Sequence, residues 1–171
     1  MDEKRDFVVR FAGEGGQGMV TAAEALAQAA AQVGYYIQTY TTFPSQIVGG
    51  PTVAQARIST TPVLSSGDNL DILVAFNQNA YDEHVPSLRD GGVVIFDSAA
   101  FHLEDDGVYK ILGIPFEELG KSTGNARAGN MVVLGALAHL VTWPENYLTE
   151  FVVKRFTRGR PNDEEIIRSN I

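Results

Sequence analysis

Four glycines in six residues, Gly13-Glu14-Gly15-Gly16-Gln17-Gly18, separate an apolar run from an alanine-rich one. That junction constrains the fold more than any other stretch. The segment before it, Asp6 to Ala12, carries FVVRFA, the β-branched and aromatic composition of a short buried strand ended by Gly13. The segment after it, Met19 to Val33, is rich in Ala and Leu without Gly or Pro, which predicts a helix stopped by Gly34 in the place of a C-terminal cap. Strand, glycine loop and helix make the opening unit of an α/β protein.

The alternation continues. Tyr35 to Thr42 reads as a second strand, and Phe43 to Pro51 as a loop whose prolines and adjacent Gly49 and Gly50 cannot continue a helix or a central strand. Val53 to Ser59 alternates polar and apolar residues as a half-exposed strand does, and Pro62 lies beyond it. Leu70 to Phe76 and Gly92 to Phe96 are apolar runs of buried parallel-strand type, separated by a polar helical stretch from Gln78 to Leu88. Glu104-Asp105-Asp106-Gly107 reads as a turn, Val108 to Leu112 as a strand, Pro115 as the start of a one-turn helix through Glu118, and Lys121 to Gly129 as a polar loop. Asn130 to Val141 is apolar nearly all round, which predicts a buried helix, and Pro144 opens an amphipathic helix ending near Phe156. The expected fold class is α/β: a three-layer α/β/α sandwich, Rossmann-like, with a largely parallel but mixed sheet. Residues 1–156 form the domain, and the charged segment 157–171 is a C-terminal tail expected to dock on something else.

Composition narrows the function. A chain of 171 residues is the size of one hydrophobic core, and no apolar run approaches the ~18 residues of a membrane span. Thirteen basic against twenty-one acidic side chains give a net charge of −8, which repels a polyphosphate backbone and argues against nucleic acid as a partner. With no cysteine, the chain has no disulfide, thiolate zinc site, cysteine nucleophile or cluster-holding thiolate. Electrons, if they move, are carried by another chain. The N-terminal MDEKRDFVV has charges of both signs and no small-residue cleavage site, so no signal peptide is read and a cytoplasmic setting is expected.

Gly13, Gly15 and Gly18 spell G-x-G-x-x-G between strand and helix, where backbone N–H groups and a helix N-terminus receive phosphate. The same spacing also suits a plain turn that lets helix and strand pack closely. An NAD site needs an acid about 20 residues further on, yet no Asp or Glu occurs between Glu24 and Asp68. A P-loop needs a closing Gly-Lys-Ser/Thr, which is absent. The second loop, Ser45 to Thr52, also exposes amides, so two glycine-bearing bends after successive strands point to an anionic ligand, although a turn before an edge strand explains the second equally well. His84, His102 and His139 are scattered and show no metal-ligand spacing. Asp97-Ser98 follows a strand and suits either ligand contact or a cap, and Arg57 is expected to face solvent or a partner chain. No nucleophile and base, or pair of carboxylates, is set for catalysis.

Taken in order, Gly13 to Gly18, Phe43-Pro44-Ser45-Gln46-Ile47-Val48-Gly49-Gly50, Val53 to Ser59, Leu70 to Phe76, Gly91 to Asp97 and Asn130 to Leu137 resemble the gamma subunit or gamma domain of 2-oxoacid:ferredoxin oxidoreductases, from about Phe7 to Phe156. The resemblance implies a part in the oxidative decarboxylation of a 2-oxoacid to an acyl-CoA, with electrons passing to ferredoxin. It implies alpha and beta partner subunits, and in some relatives a ferredoxin-like delta subunit, that carry thiamine diphosphate, magnesium and 4Fe–4S clusters. It also implies coenzyme A at this chain, with Gly13, Gly15, Gly16, Gln17 and Gly18 against its phosphates and Ser45, Gln46, Gly49, Gly50 and Asn130 nearby.

Many relatives carry a basic residue where this chain has Val48, and some carry lysines at the positions of Gln46 and Ile47. The missing cation removes one charge-assisted contact, about 1.5–3 kcal/mol. Either a partner chain supplies the charge, or coenzyme binding is altered or absent. In some relatives the region after Gly159 continues into a fused chain. The 2-oxoacid stays open between pyruvate, branched-chain, aryl and 2-oxoglutarate substrates, with a slight preference for the last. The competing readings are a scaffold subunit without a ligand and an NAD-dependent dehydrogenase.

Overall fold

The computed structural model describes residues 6–44, 49–125, 128–141 and 145–171, the side chain of residue 145 excepted. Its elements run β1 (Asp6–Glu14), α1 (Met19–Gln32), β2 (Tyr36–Thr42), β3 (Pro51–Ser59), β4 (Leu70–Ala75), α2 (Gln78–His84) with a 3-10 turn (Val85–Ser87), β5 (Leu88–Asp97), β6 (Lys110–Ile114), α3 (Phe116–Ser122), α4 (Gly129–Leu140), α5 (Glu145–Phe156) and α6 (Asp163–Arg168). The strands form one six-stranded sheet in the order β2-β3-β1-β4-β5-β6. β1, β4, β5 and β6 are parallel neighbours, whereas β3 is antiparallel to both β1 and β2. The mixed α/β sandwich is as expected, with one antiparallel strand wedged between β1 and β2.

Alternation along the strands sends side chains into two cores. Val9, Phe11, Ala54, Ala56, Ile58, Ile72 and Val74 face α1, α4 and α5, and Val8, Ala12, Leu73 and Ala75 face α2 and the chain around Phe101. On α1 the buried Met19, Ala22, Ala23, Leu26, Ala29 and Ala30 recur at helical spacing, and the small alanines let the helix lie close on the sheet. The helix ends as its sequence predicts. Gly34 donates to Ala31 O (3.0 Å) and Tyr35 to Ala30 O (3.1 Å), the paired closure of a Schellman cap.

Several expectations are corrected. β1 does not end at Gly13, because Gly13 and Glu14 pair with Thr52 and Pro51. β3 is buried rather than half-exposed: it is interior to the sheet, and Gln55 is sealed by accepting from Arg10 Nε (2.9 Å) and donating to Ser66 O (2.7 Å) and Gly67 O (3.0 Å). Arg57 keeps its expected partial exposure to solvent while pairing with Asp6 at 2.8 Å. The helix expected through Leu88 stops at His84, and β5 starts at Leu88, where a bulge in the β4–β5 pairing takes up the extra residues. β6 lies two residues later than expected, set by the pairing of Val93 with Lys110. The one-turn helix at Pro115 runs on to Ser122, helped by Glu117 and Glu118 in its first turn and Lys121 in its last. α4 begins at Gly129 and buries one face only, leaving Leu140 exposed. Pro144 lies outside the described residues. The segment after Phe156 carries α6, which packs on α5, and the Ser169 carbonyl accepts from Thr123 Oγ1 (3.0 Å).

The crossing of α3 and α4 allows no side chain at Gly120, where a Cβ would stand 2.4 Å from the Gly129 nitrogen. In an open helix Gly→Ala stabilises; here Gly120→Ala is expected to destabilise by about 1–3 kcal/mol, read as a lower urea midpoint.

Candidate functional site

The antiparallel register of β1 and β3 places the end of one strand beside the start of the other, so the bends at Gly15–Gly18 and Gly49–Gly50 meet. Gly15 donates to Gly50 O at 3.1 Å. Gln17 braces the loop from within: its Oε1 accepts from the Glu14 N–H (2.7 Å), and its Nε2 donates to Glu117 Oε1 (3.0 Å) on α3. Glu117 is itself held, because its N–H donates to Asp97 Oδ2 (3.2 Å) at the end of β5. Asp97 also accepts from Ala99 N–H (3.0 Å), so it caps α3 and the following turn. Burial pushes its carboxyl above the usual range, against the pull of those N–H donors.

Gly18 opens α1 with φ 89°, has no side-chain cap, and the first turn of the helix carries no acid. Among the described residues no side chain therefore caps the N–H groups at the start of this 14-residue helix, the kind of helix end that can receive an anion. Only glycine fits at position 18, since a Cβ would stand 2.5 Å from Asn130 Nδ2. Asn130 is 6% exposed; Nδ2 makes a long bond to Gly18 O (3.4 Å), and Oδ1 has no hydrogen-bond partner among the described residues.

Two hollows flank the loop. One, of 520 Å³, lies between Gly15–Thr21 and the second bend, and Met19, Val20, Phe43 and Pro44 make much of its wall apolar. The other, of 760 Å³, lies between the loop, Asn130 and the C-terminal arginines Arg155, Arg158 and Arg160. Gly16, Gly18 and Thr21 border both. The C-terminal wall is organised by Asp163, which accepts from the N–H groups of Arg158 (2.5 Å) and Arg160 (3.0 Å) and from Arg160 Nε (2.8 Å). Burial opposes the charge on Asp163, but these donors outweigh it and pull the carboxyl down to about 2.

Of the residues expected at a site, Gly15, Gly16, Gln17, Gly18, Gly49, Gly50 and Asn130 come together. Gly13 stands back in the strand, while Ser45, Gln46 and Val48 lie outside the described residues. Asp97 is a cap rather than a ligand contact. His84 sits apart beside Arg10, 3.4 Å away, and its basicity is lowered by burial and then by that guanidinium. Sequence reasoning missed Glu117, Thr21 and the arginines. The cluster Arg155, Arg158, Arg160 in so acidic a chain was the available signal.

A mixed α/β domain with an uncapped helix behind a braced glycine loop, open on both sides, has the architecture in which α/β proteins place their sites, at the carboxyl ends of strands. Residues 8–171 match the family described as pyruvate ferredoxin/flavodoxin oxidoreductase, and the chain belongs to that family. It is 35% identical over 139 residues to the ketoisovalerate oxidoreductase subunit VorA of Methanothermobacter marburgensis, which covers 81% of this chain and 29% of that protein. To the pyruvate synthase subunit PorC of Methanothermobacter thermautotrophicus it is 38% identical over 137 residues, 76% of this chain and 73% of that one. The 2-oxoglutarate:ferredoxin oxidoreductase from Magnetococcus marinus, solved with 2-oxoglutarate, coenzyme A and succinyl-CoA bound, superposes with a TM-score of 0.87 at 31% identity, over 98% of this chain and 30% of that chain. A keto/oxoacid ferredoxin oxidoreductase gamma subunit from Geobacter sulfurreducens superposes with a TM-score of 0.79 at 26% identity, over 97% of this chain and 93% of that one. The chain thus spans under a third of the VorA subunit and of the Magnetococcus chain.

Two outcomes follow from the bracing. Gln17→Ala removes both side-chain bonds, so exchange at the Gly15–Gly18 amides should quicken by about tenfold while global stability falls by about 1–2 kcal/mol, measured by hydrogen exchange and urea titration. The Asp163 carboxyl is depressed in the folded chain, so its contribution is complete above the ordinary value of 3.8 and disappears as pH falls toward about 2. Protection of the 158–169 amides should drop across that window in the natural chain; in Asp163→Asn it should be low at neutral pH and flat through the window.

Proposed function

We propose that this chain is the gamma-type component of a 2-oxoacid:acceptor oxidoreductase and holds coenzyme A while the redox chemistry proceeds on partner subunits. The observation that carries the reading is the meeting of the two glycine bends in front of the uncapped N-terminus of α1. Amides and a helix dipole supply partial positive charge there without a lysine, as the sequence at Val48 requires. The Magnetococcus relative, with coenzyme A and succinyl-CoA bound, supports that choice of ligand.

An NAD reading is disfavoured by topology as well as by sequence. β3 separates β1 from β2, and β2 ends in Thr41 and Thr42 with no carboxylate for a ribose. Thiamine diphosphate with its magnesium and the 4Fe–4S clusters would supply decarboxylation and electron transfer from the alpha, beta and any delta subunits, with ferredoxin as acceptor; the absence of cysteine leaves cluster ligation to those chains. This chain's own part is to bind and orient. The loop amides fix the phosphates, and the brace from Gln17 to Glu117 keeps the loop from collapsing between turnovers. The relatives are named for ketoisovalerate, pyruvate and 2-oxoglutarate, so the reading is kept to the 2-oxoacid class without the earlier preference for 2-oxoglutarate. Among the described residues no helix is long and apolar enough to cross a membrane.

Thr21 separates fold from function. An acid in the first turn of α1 favours the helix by about 0.3–1 kcal/mol yet repels an anion in either hollow. Thr21→Glu in the assembled complex should hold or raise stability while raising the KM for coenzyme A by about tenfold or more. An unaltered KM, with no coenzyme-dependent protection of the Gly15–Gly18 amides, would establish the ligand-free scaffold instead.

A further inference from the structure

Coenzyme A is long and chemically two-ended, with a phosphorylated adenosine at one end and a pantetheine arm at the other. The two hollows are unlike in a matching way. The smaller is walled by Met19, Val20, Phe43 and Pro44, and the larger by amides, hydroxyls and arginines.

Resting on the coenzyme reading above, we propose that the larger hollow receives the adenosine 3′-phosphate end, with Arg155 and Arg158 holding the phosphate monoester and Asn130 Oδ1 accepting a hydrogen bond from the ligand. The arm then crosses the glycine loop into the apolar hollow, past Gly16, Gly18 and Thr21, which border both.

The buried carboxamide is the first support. Nδ2 of Asn130 points at the Gly18 carbonyl, so flipping the amide would set two oxygens against each other and the orientation is determined. Among the described residues Oδ1 is an acceptor without a donor, in a side chain 6% exposed that lines the hollow. A group left so in a native fold needs an explanation. A ligand that satisfies it must bring an N–H or O–H, which adenine, ribose and pantetheine do and a fully ionised phosphate does not.

Charge is the second support. Arg160 is neutralised by Asp163 at 2.8 Å, whereas Arg158 uses only Nε, to the Arg155 carbonyl (3.3 Å), and among the described residues neither Arg155 nor Arg158 is in an ion pair. Glu165 is the one acid among the residues lining the hollow. Two unneutralised guanidinium groups there, in a chain of net charge −8, fit a dianionic monoester through forked hydrogen bonds. A volume of 760 Å³ accommodates a nucleotide.

The test compares coenzyme A with 3′-dephospho-coenzyme A in the complex that co-purifies with this chain. The natural complex should prefer coenzyme A by about tenfold or more in KM, and the double variant Arg155→Gln with Arg158→Gln should bring that ratio to within about twofold of one. Adenosine 3′,5′-bisphosphate should compete with coenzyme A in the natural complex and lose potency by about tenfold in the double variant. Thr21→Glu should weaken both coenzymes together and leave the ratio. A ratio that persists in the double variant, or that is absent from the natural complex, overturns the proposal. So does weakened assembly with the ratio intact, which would make the arginines a seat for an acidic partner. If Thr21→Glu weakens binding in that event, only this proposal fails; if neither variant touches coenzyme binding, the reading beneath it fails too.

Discussion

The pairing of β1 with β3 is the interaction on which the rest of the molecule depends. Because β3 runs against its neighbours, its beginning lies beside the ends of β1 and β2, and the bends at Gly15–Gly18 and Gly49–Gly50 gather at one end of the sheet. Slipping that register by one residue would turn Gln55 and Arg57 to the face packed against α1 and move Ala54, Ala56 and Ile58 to the opposite face. The polar side chain guards against this. Gln55 is satisfied only when it faces Arg10 on one side and the carbonyls of Ser66 and Gly67 on the other. A buried polar residue in the middle of a sheet thus sets the address of a loop some distance along the strand.

Glycine loops bring a cost along with their access to ligand. They lose more backbone freedom on ordering than any other sequence, and an unbraced loop would lose that freedom again with each ligand bound. Here the loop is held by three elements: β3 through Gly15 and Gly50, its own Gln17, and α3 through Glu117, which Asp97 anchors to the sheet. Each bond contributes only about 0.5–1.5 kcal/mol net, but together they order the loop before ligand arrives. The close crossing at Gly120 and Gly129 belongs to the same arrangement, since it keeps α3, and with it Glu117, near the loop.

How much of this was legible is clearest from particular residues. The strand, glycine loop and helix at the N-terminus were readable because periodicity, composition and the Gly34 stop all agreed, and the structure has Met19–Gln32 closed by the expected cap. Gly15, Gly18, Gly49 and Gly50 were readable as bends. Their meeting depends on β3 running antiparallel, which a run such as VAQARIS does not encode. The burial of Gln55 was misread for the same reason: alternation says which side chains share a face, and only the neighbouring elements say whether that face is wet. Glu117 is a hundred residues from Gln17, so no local pattern announces the brace. The arginines were passed over because Arg155 fell within an ordinary amphipathic helix and the segment beyond Phe156 read as a charged tail docking elsewhere; it is Asp163, at the start of α6, that holds Arg158 and Arg160 at the rim of the hollow.

A net charge of −8 sets an electrostatic problem for the proposed coenzyme: at long range the protein would repel a polyanion. Screening confines that repulsion to about 8–10 Å at ordinary ionic strength, so the contest is decided by groups in contact. Those groups are of two kinds, and they are divided between the hollows. Backbone amides and the α1 dipole attract any anion without discrimination, whereas guanidinium forks ask for a particular phosphate geometry. The Asn130 oxygen, unpartnered among the described residues, adds a demand of the opposite sign, for a donor, in the same hollow as the arginines. A simple anion meets only part of that set. A molecule that carries phosphate and hydrogen-bond donors along one extended skeleton meets all of it, and the division of chemistry across the loop is what gives such a ligand a direction.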